Sequence, residues 1–332
     1  MRVVITGGFG FLGRLVARRV LDGGLVGPDG KAAPVTELVL VDQPGAVLRP
    51  LPVQLADPRV EAVEGDVGDE ALLAAALAGA ASVFHLASVV SADAEADFER
   101  AMAVNVDGLR ALVAACRASA GAAPPRLVFA SSVAVFGGAY AVGVVGDGVK
   151  QTPHSTYGVT KAIGELLVNE ATRKGWIDGR SARLATVVVR PGRPNLAASS
   201  FASGLFREPL AGDEAVIPVP LDTPILVIGR RAAVAGLVAL HDLAPGALGD
   251  DRAVGLPAMA LTVGDMVEAL RRFAAAAGRT LGPLTVAPDP LVSALVGSWP
   301  GQWDNTRALA LGLPADVTLE QVIADYVADY GS

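Results

Sequence analysis

The chain has 332 residues, of which 52% are hydrophobic and 18% charged, a balance that buries a large core and excludes an intrinsically disordered chain. A formal net charge of −7 leaves no electrostatic footprint for nucleic acid. The one cysteine, Cys116, allows no intrachain disulfide and reads as a buried thiol; the three histidines, His85, His154 and His241, are scattered without ligand spacing, so no metal site is expected.

Arg2-Val-Val-Ile-Thr6 reads as a short buried strand, and Phe11 to Leu21 as a helix with an apolar stripe. Between them the glycines Gly7, Gly10 and Gly13 fall as G-x-x-G-x-x-G. In this reading Gly7 permits a tight turn, Gly10 lets backbone approach a pyrophosphate, and Gly13 lets helix and strand pack closely. The polar stretch Asp22–Pro34 reads as a surface insertion. Glu37–Asp42 is the next strand. Asp42 ends it where a carboxylate would meet the ribose hydroxyls of a dinucleotide and repel a 2′-phosphate, favouring NAD over NADP, or, alternatively, where it only starts the following turn.

Val60–Val67 is a further strand with its turn, Glu70–Ala81 an alanine-rich helix, and Ser82–Ser88 a strand in which His85 is a packing residue. Ser88 to Ser91 lie just past that strand's end, where ligands collect in open α/β sheets. Arg126-Leu-Val-Phe-Ala-Ser-Ser132 is a strand closing on two serines. Tyr157 and Lys161 then stand four residues apart on one helix face, so the ammonium favours the phenolate and draws the tyrosine pKa down toward the working range.

Ala185–Pro191 reads as another buried strand, followed by a small, hydroxyl-rich stretch in which Asn195, Ser199 and Ser200 suit a compact polar ligand or, equally, a helix cap. Pro224–His241 returns to a strand-and-helix pattern, and Ala253–Leu256 reads as one more strand. Arg230 and Arg231 are candidates for a substrate carboxylate or, alternatively, exposed helix-start arginines. Thr318-Leu-Glu-Gln321 reads as a capping box for the last helix. No apolar run approaches membrane-spanning length, and the glycine loop starts too early for a signal peptide; a cytoplasmic protein with no membrane partner is expected.

Thr6-Gly-Gly-Phe-Gly-Phe-Leu-Gly13, Ser131-Ser132-Val-Ala-Val-Phe-Gly137 and Tyr157-Gly-Val-Thr-Lys161, in this order, resemble the extended short-chain dehydrogenase/reductase family, the NAD-dependent epimerases and dehydratases. The resemblance covers nearly the whole chain. It implies an α/β protein: a Rossmann-type doubly wound parallel sheet over 1–190, with 225–256 returning to it, and a smaller discontinuous substrate lobe from 191–224 and 257–332. It implies NAD contacts at Gly7, Phe9, Gly10, Phe11, Leu12, Asp42, Asp66, Val67, Leu86, Ala87, Asn105, Tyr157, Lys161 and Pro191, with Asp66 and Val67 at the adenine edge. Ser132, Tyr157 and Lys161 are the implied catalytic residues.

Within the family, the stretch Arg190–Gly204 with Arg207–Gly212 and Asp222–Pro224 resembles the branch that oxidises the 2-hydroxyl of a four-carbon sugar acid, D-erythronate, to a 2-oxo acid with NAD. That likeness adds Thr223 as a substrate contact to Ser91, Ser132, Tyr157, Asn195, Ser199 and Ser200, and the wider family resemblance implies a homodimer paired through helices at 95–118 and 156–173. Two other readings stand beside it: a nucleotide-sugar 4-epimerase, for which base-stacking aromatics are scarce, and a non-catalytic dinucleotide sensor, which the intact tyrosine and lysine disfavour.

Overall fold

The computed structural model describes residues 1–119, 121, 123–192 and 199–331. Strand β1 (Arg2–Thr6) alternates its side chains between two cores, Val3 and Ile5 to one side and Val4 to the other, and all three are fully buried. Burial on both faces selects a parallel sheet with helices on each side. Helix α1 (Phe11–Gly23) follows, then strands β2 (Glu37–Asp42) and β3 (Val60–Glu64), helix α2 (Glu70–Leu77) and strand β4 (Ser82–His85). Helix α3 (Gly108–Ser119), strand β5 (Arg126–Ser132), helix α4 (Thr156–Arg173) and strand β6 (Asp178–Leu184) complete the alternation.

After strands β7 (Thr186–Val188) and β8 (Pro224–Gly229) and strand β9 (Ala253–Gly255) are counted, the sheet order is β9-β6-β5-β4-β1-β2-β3, parallel throughout. The run β3-β2-β1-β4-β5-β6 is the Rossmann order, whose crevice opens at the carboxyl ends of β1 and β4. Register brings Thr6 beside both Val41 and His85, and Ser132 beside Leu184, so these strand ends line up along one edge.

Strand β6 has no counterpart in the sequence expectations. Its inward side chains include Arg180 and Arg183, which a burial pattern does not mark as core. Arg183 is buried against Glu165 and Asp147, and Arg180 against Asp178, which also binds Arg126 and Arg252. Paired in this way, guanidinium groups tolerate an interior position. The single strand expected over Ala185–Pro191 is corrected: the chain leaves the main sheet at Leu184, and only Thr186–Val188 is strand, paired parallel with β8 in a separate sheet. Leu226 and Ile228 of β8 face the Rossmann core, while Ile225 and Val227 face the core of the second lobe.

That second core is built on β7, β8 and strand β10 (Met259–Thr262), covered by helices α5 (Ser200–Ala211), α6 (Val263–Ala277) and α7 (Leu319–Tyr330). Thr318 caps α7 through the Gln321 amide at 3.1 Å, but the Gln321 side chain donates forward to Asp325, so the expected reciprocal box is half formed. The complete box is at Thr262 and Asp265, at the start of α6. The expected insertion at 22–34 carries a two-residue hairpin, Leu25–Val26 against Ala32–Ala33. No helix among the described residues is long and apolar enough to cross a membrane.

Candidate active site

A cleft of about 750 Å³ runs along the carboxyl edge of the sheet, from Asp42 and Asp66 at one end to Ser199, Ser200 and Trp299 at the other. The glycine loop forms its floor. Gly7 has φ +69°, a left-handed conformation suited to glycine. A Cβ on Gly13 would stand 2.1 Å from the Gly7 carbonyl oxygen, so Gly13 makes room for the loop's own backbone rather than for the strand. Gly10 is the N-cap of α1, no side chain caps that helix, and its first turn holds no acidic residue. Its first amides therefore face the cleft with their positive dipole end unanswered. This cradle fits a dinucleotide diphosphate.

At the end of the cleft where an adenosine is expected, Asp42 accepts from the Phe9 amide at 2.9 Å and from the Gln43 amide at 2.9 Å. Phe9 itself is buried, and its contribution is this anchoring of the carboxylate. Asp66 accepts from the Gly68 amide at 2.7 Å and lines the cleft beside the buried Val67. Phe11, Leu12, Leu86 and Ala87 line the stretch between.

Ser132, Tyr157 and Lys161 converge on the middle of the cleft. Ser155 caps α4 by accepting from the Gly158 amide at 3.1 Å, which fixes where Tyr157 leaves the first turn. A Cβ at Gly158 would fall 2.1 Å from the Ala134 oxygen, so only glycine lets the helix press against the turn that carries Ser132. Ser132 and Tyr157 line the same stretch of the cleft, and the Lys161 ammonium lies 5.5 Å from the centre of the Tyr157 ring. Behind them Glu165, one helical turn past Lys161, accepts from Ser131 at 2.6 Å and takes two bonds from Arg183, at 3.0 and 2.8 Å.

The electrostatics correct one expectation. Burial pushes the Tyr157 phenol up to about 12, against a smaller lowering by Ser132, and pushes Lys161 down to about 7, against the pull of Glu165. Both groups lose hydration together, and burial, rather than the neighbouring charge that their helical spacing suggests, sets the direction of each shift.

His85 is buried in the strand, bonded to Thr6 at 2.6 Å and stacked on Phe129, and burial lowers it to about 3. Asn105 does not reach the cleft lining. Buried in a π-helical turn, Ala103–Asp107, it accepts from the Val89 amide at 2.8 Å and donates to the Val89 oxygen and to Thr160 at 3.0 Å. It thereby ties the β4 end to α4 one turn from Tyr157. Ser91, Ser199 and Ser200 line the cleft, Pro191 follows its lining residue Arg190, and Asn195 lies outside the described residues. Thr223 is not among the lining residues; its carbonyl accepts from the Val263 amide at 3.0 Å in the second lobe.

Arg230 and Arg231 are also elsewhere. Both bind Asp329, and Arg231 reaches Asp325 at 2.7 Å, so they clamp α7 and offer no cation to a ligand. Among the described residues, the arginines that do line the cleft are Arg100, Arg190 and Arg207, with Ser203 and Trp299 also in the lining. Arg190 and Arg207 lie in the stretches that resemble the sugar-acid branch, but no spacing rule supplies the direction of their side chains.

A model of the NAD dependent epimerase/dehydratase family matches residues 3–244. The chain belongs to that family. NAD is its cofactor, consistent with the glycine cradle and Asp42, and its chemistry is NAD-dependent oxidation and reduction at a CH–OH carbon. It is 46% identical to D-erythronate dehydrogenase of Cupriavidus necator over all of this chain and 99% of that protein. It is 36% identical to D-erythronate dehydrogenase of Haemophilus influenzae over 98% of this chain and 99% of that one. Among solved structures, a nucleoside-diphosphate-sugar epimerase from Agrobacterium tumefaciens superposes with a TM-score of 0.88 at 33% identity, covering 99% of this chain and 94% of that one.

Proposed function

We propose that this protein oxidises the 2-hydroxyl of a small sugar acid, D-erythronate or a closely related aldonate, to the 2-oxo acid, with Tyr157 as the base. The observation that carries the mechanism is the convergence of Ser132, Tyr157 and Lys161 on one stretch of the cleft, with the Lys161 ammonium 5.5 Å from the centre of the Tyr157 ring. The two full-length relatives named D-erythronate dehydrogenase support the substrate. Bound at the glycine cradle, NAD supplies the hydride acceptor and, when oxidised, a fixed positive charge.

Ser132 holds the substrate hydroxyl. Tyr157 takes its proton, made more acidic than burial alone allows by the added positive charge. Lys161 stabilises the phenolate and holds the adjoining ribose, and Glu165 offsets part of the burial cost of that ammonium. Ser91, Ser199 and Ser200 give the acid its remaining hydroxyl partners. NAD chemistry and a single buried free thiol suit the cytoplasm. The exposed Phe98, Val159 and Leu166 on the helices at 95–118 and 156–173 suit a homodimer interface.

Incubation with NAD and a panel of sugar acids tests this reading through the absorbance of reduced cofactor. Net accumulation with D-erythronate or a near aldonate is expected. A second reading, nucleotide-sugar epimerase, is favoured by the Agrobacterium structure and by Trp299, an aromatic side chain at the substrate end. An epimerase returns its hydride, so turnover of a nucleotide sugar without net reduction would decide for it.

A further inference from the structure

The arginines of this protein's interior are almost all neutralised locally. Arg183 has Glu165 and Asp147, Arg180 and Arg252 share Asp178, Arg230 has Asp329, and in the cleft Arg207 is 2.5 Å from Glu208. Arg190 is different. It is half-buried in the cleft wall, and no ion pair of its guanidinium is found among the described residues.

Its backbone is fixed on both sides by α5. The amide donates to Ser203 Oγ at 3.0 Å, and the carbonyl accepts from Arg207 Nη1 at 2.9 Å. Held in this way, the guanidinium lies 5.9 Å from the centre of the Phe11 ring, and Phe11 is the first residue of α1. A cation without a counter-charge therefore leans over the end of the helix whose amides are themselves uncapped.

We propose that Arg190 is the side chain that binds the diphosphate of NAD, closing over it from the wall opposite the glycine loop. Two other positive groups, Arg207 and Arg14, act on Arg190, and together with burial they pull its pKa below the usual guanidinium range. An anion arriving there relieves repulsion among cations as well as gaining a hydrogen-bonded partner. The perch on Phe11 separates this role from substrate binding, since Ser132 and Tyr157 are carried by other elements, β5 and α4. The sequence marks Arg190 only as the start of the stretch that resembles the sugar-acid branch, next to Pro191, and nothing in that motif assigns its side chain to the diphosphate.

The test is calorimetric titration of Arg190→Gln and Arg190→Lys with ADP-ribose, which keeps the diphosphate and lacks nicotinamide, alongside NAD. Arg190→Gln is expected to weaken both ligands by the same factor, about tenfold to a hundredfold, as for loss of a charge-assisted hydrogen bond. Arg190→Lys keeps the charge without the planar fork and should lose several-fold less. Should the glutamine variant fail to fold, judged by its melting transition, the lysine variant still decides through its ADP-ribose affinity. Wild-type ADP-ribose affinity in the folded variants would overturn the proposal. So would weakened NAD binding with unchanged ADP-ribose binding, which would place Arg190 at the nicotinamide. An unchanged ADP-ribose affinity with a raised KM for the sugar acid would assign the guanidinium to the substrate carboxylate instead.

Discussion

The two ends of the cleft are made of different materials. At the cofactor end the surface is mostly backbone: the turn at Gly7, the uncapped amides of α1, and the strand ends at Leu86 and Ala87, with Asp42 and Asp66 as the charged groups. At the end proposed for the substrate it is mostly side chain, Ser91, Ser199, Ser200, Ser203, Arg207 and Trp299, drawn from separate parts of the chain. Backbone geometry resists drift, because changing it means refolding a turn. Side chains on separate elements can be exchanged one at a time, so one family can keep NAD while altering what it oxidises.

Tyr157→Phe strikes the junction of the two ends and has the largest expected effect. Turnover should fall about 10³-fold, within the range for a lost general base, while calorimetry shows NAD affinity unchanged. Equal loss of both would make Tyr157 a structural residue. Gly13→Ala is next. Its Cβ would meet the Gly7 oxygen at 2.1 Å, and the displaced loop should weaken NAD binding by about tenfold to a hundredfold. An unchanged dissociation constant would show that the cradle is softer than backbone packing implies.

Asp42→Ala removes a carboxylate that organises the Phe9 amide and repels a 2′-phosphate. NAD affinity should drop about tenfold and NADP affinity rise, so competitive titration of the two should show their preference narrowing or inverting. The pH dependence is gentler. Burial holds the Tyr157 phenol high, at about 12, so its basic form is scarce at neutral pH. The rate of oxidation should climb steadily as pH rises, with the plateau set by Tyr157 in the NAD complex. A flat profile from neutral to alkaline pH would remove the phenol from the rate-limiting step. Smallest of all, Arg231→Gln should cost under about 1 kcal/mol of stability, as for an exposed ion pair, and leave kcat/KM unchanged.

The same contrast governs how much could be read from the sequence. β1, β2, β5 and α1 were legible because apolar period, glycine spacing and strand-end carboxylates are local signals. So was the grouping of Ser132, Tyr157 and Lys161, through motifs whose order after the glycine loop resembles the family's. β6 was missed because Arg180 and Arg183 become core residues only once Asp178, Glu165 and Asp147 surround them. Arg230 and Arg231 were read as ligand candidates because nothing in their neighbourhood announces Asp325 and Asp329, almost a hundred residues away. The phenol's shift had the wrong sign for a related reason: spacing reports a neighbouring charge but not the depth at which both groups are buried. Thr223 was placed by analogy of motif, and its position beside α6 follows from the second lobe's packing.

The central claim is that the hydride comes from the carbon bearing the 2-hydroxyl, at a site where Tyr157 takes the proton. D-erythronate carrying deuterium at C2 tests it directly, with mass spectrometry of the reduced cofactor after turnover. Deuterium on the nicotinamide, with slower turnover than for unlabelled acid when chemistry limits the rate, is the predicted result. Reduced cofactor free of deuterium would contradict the account.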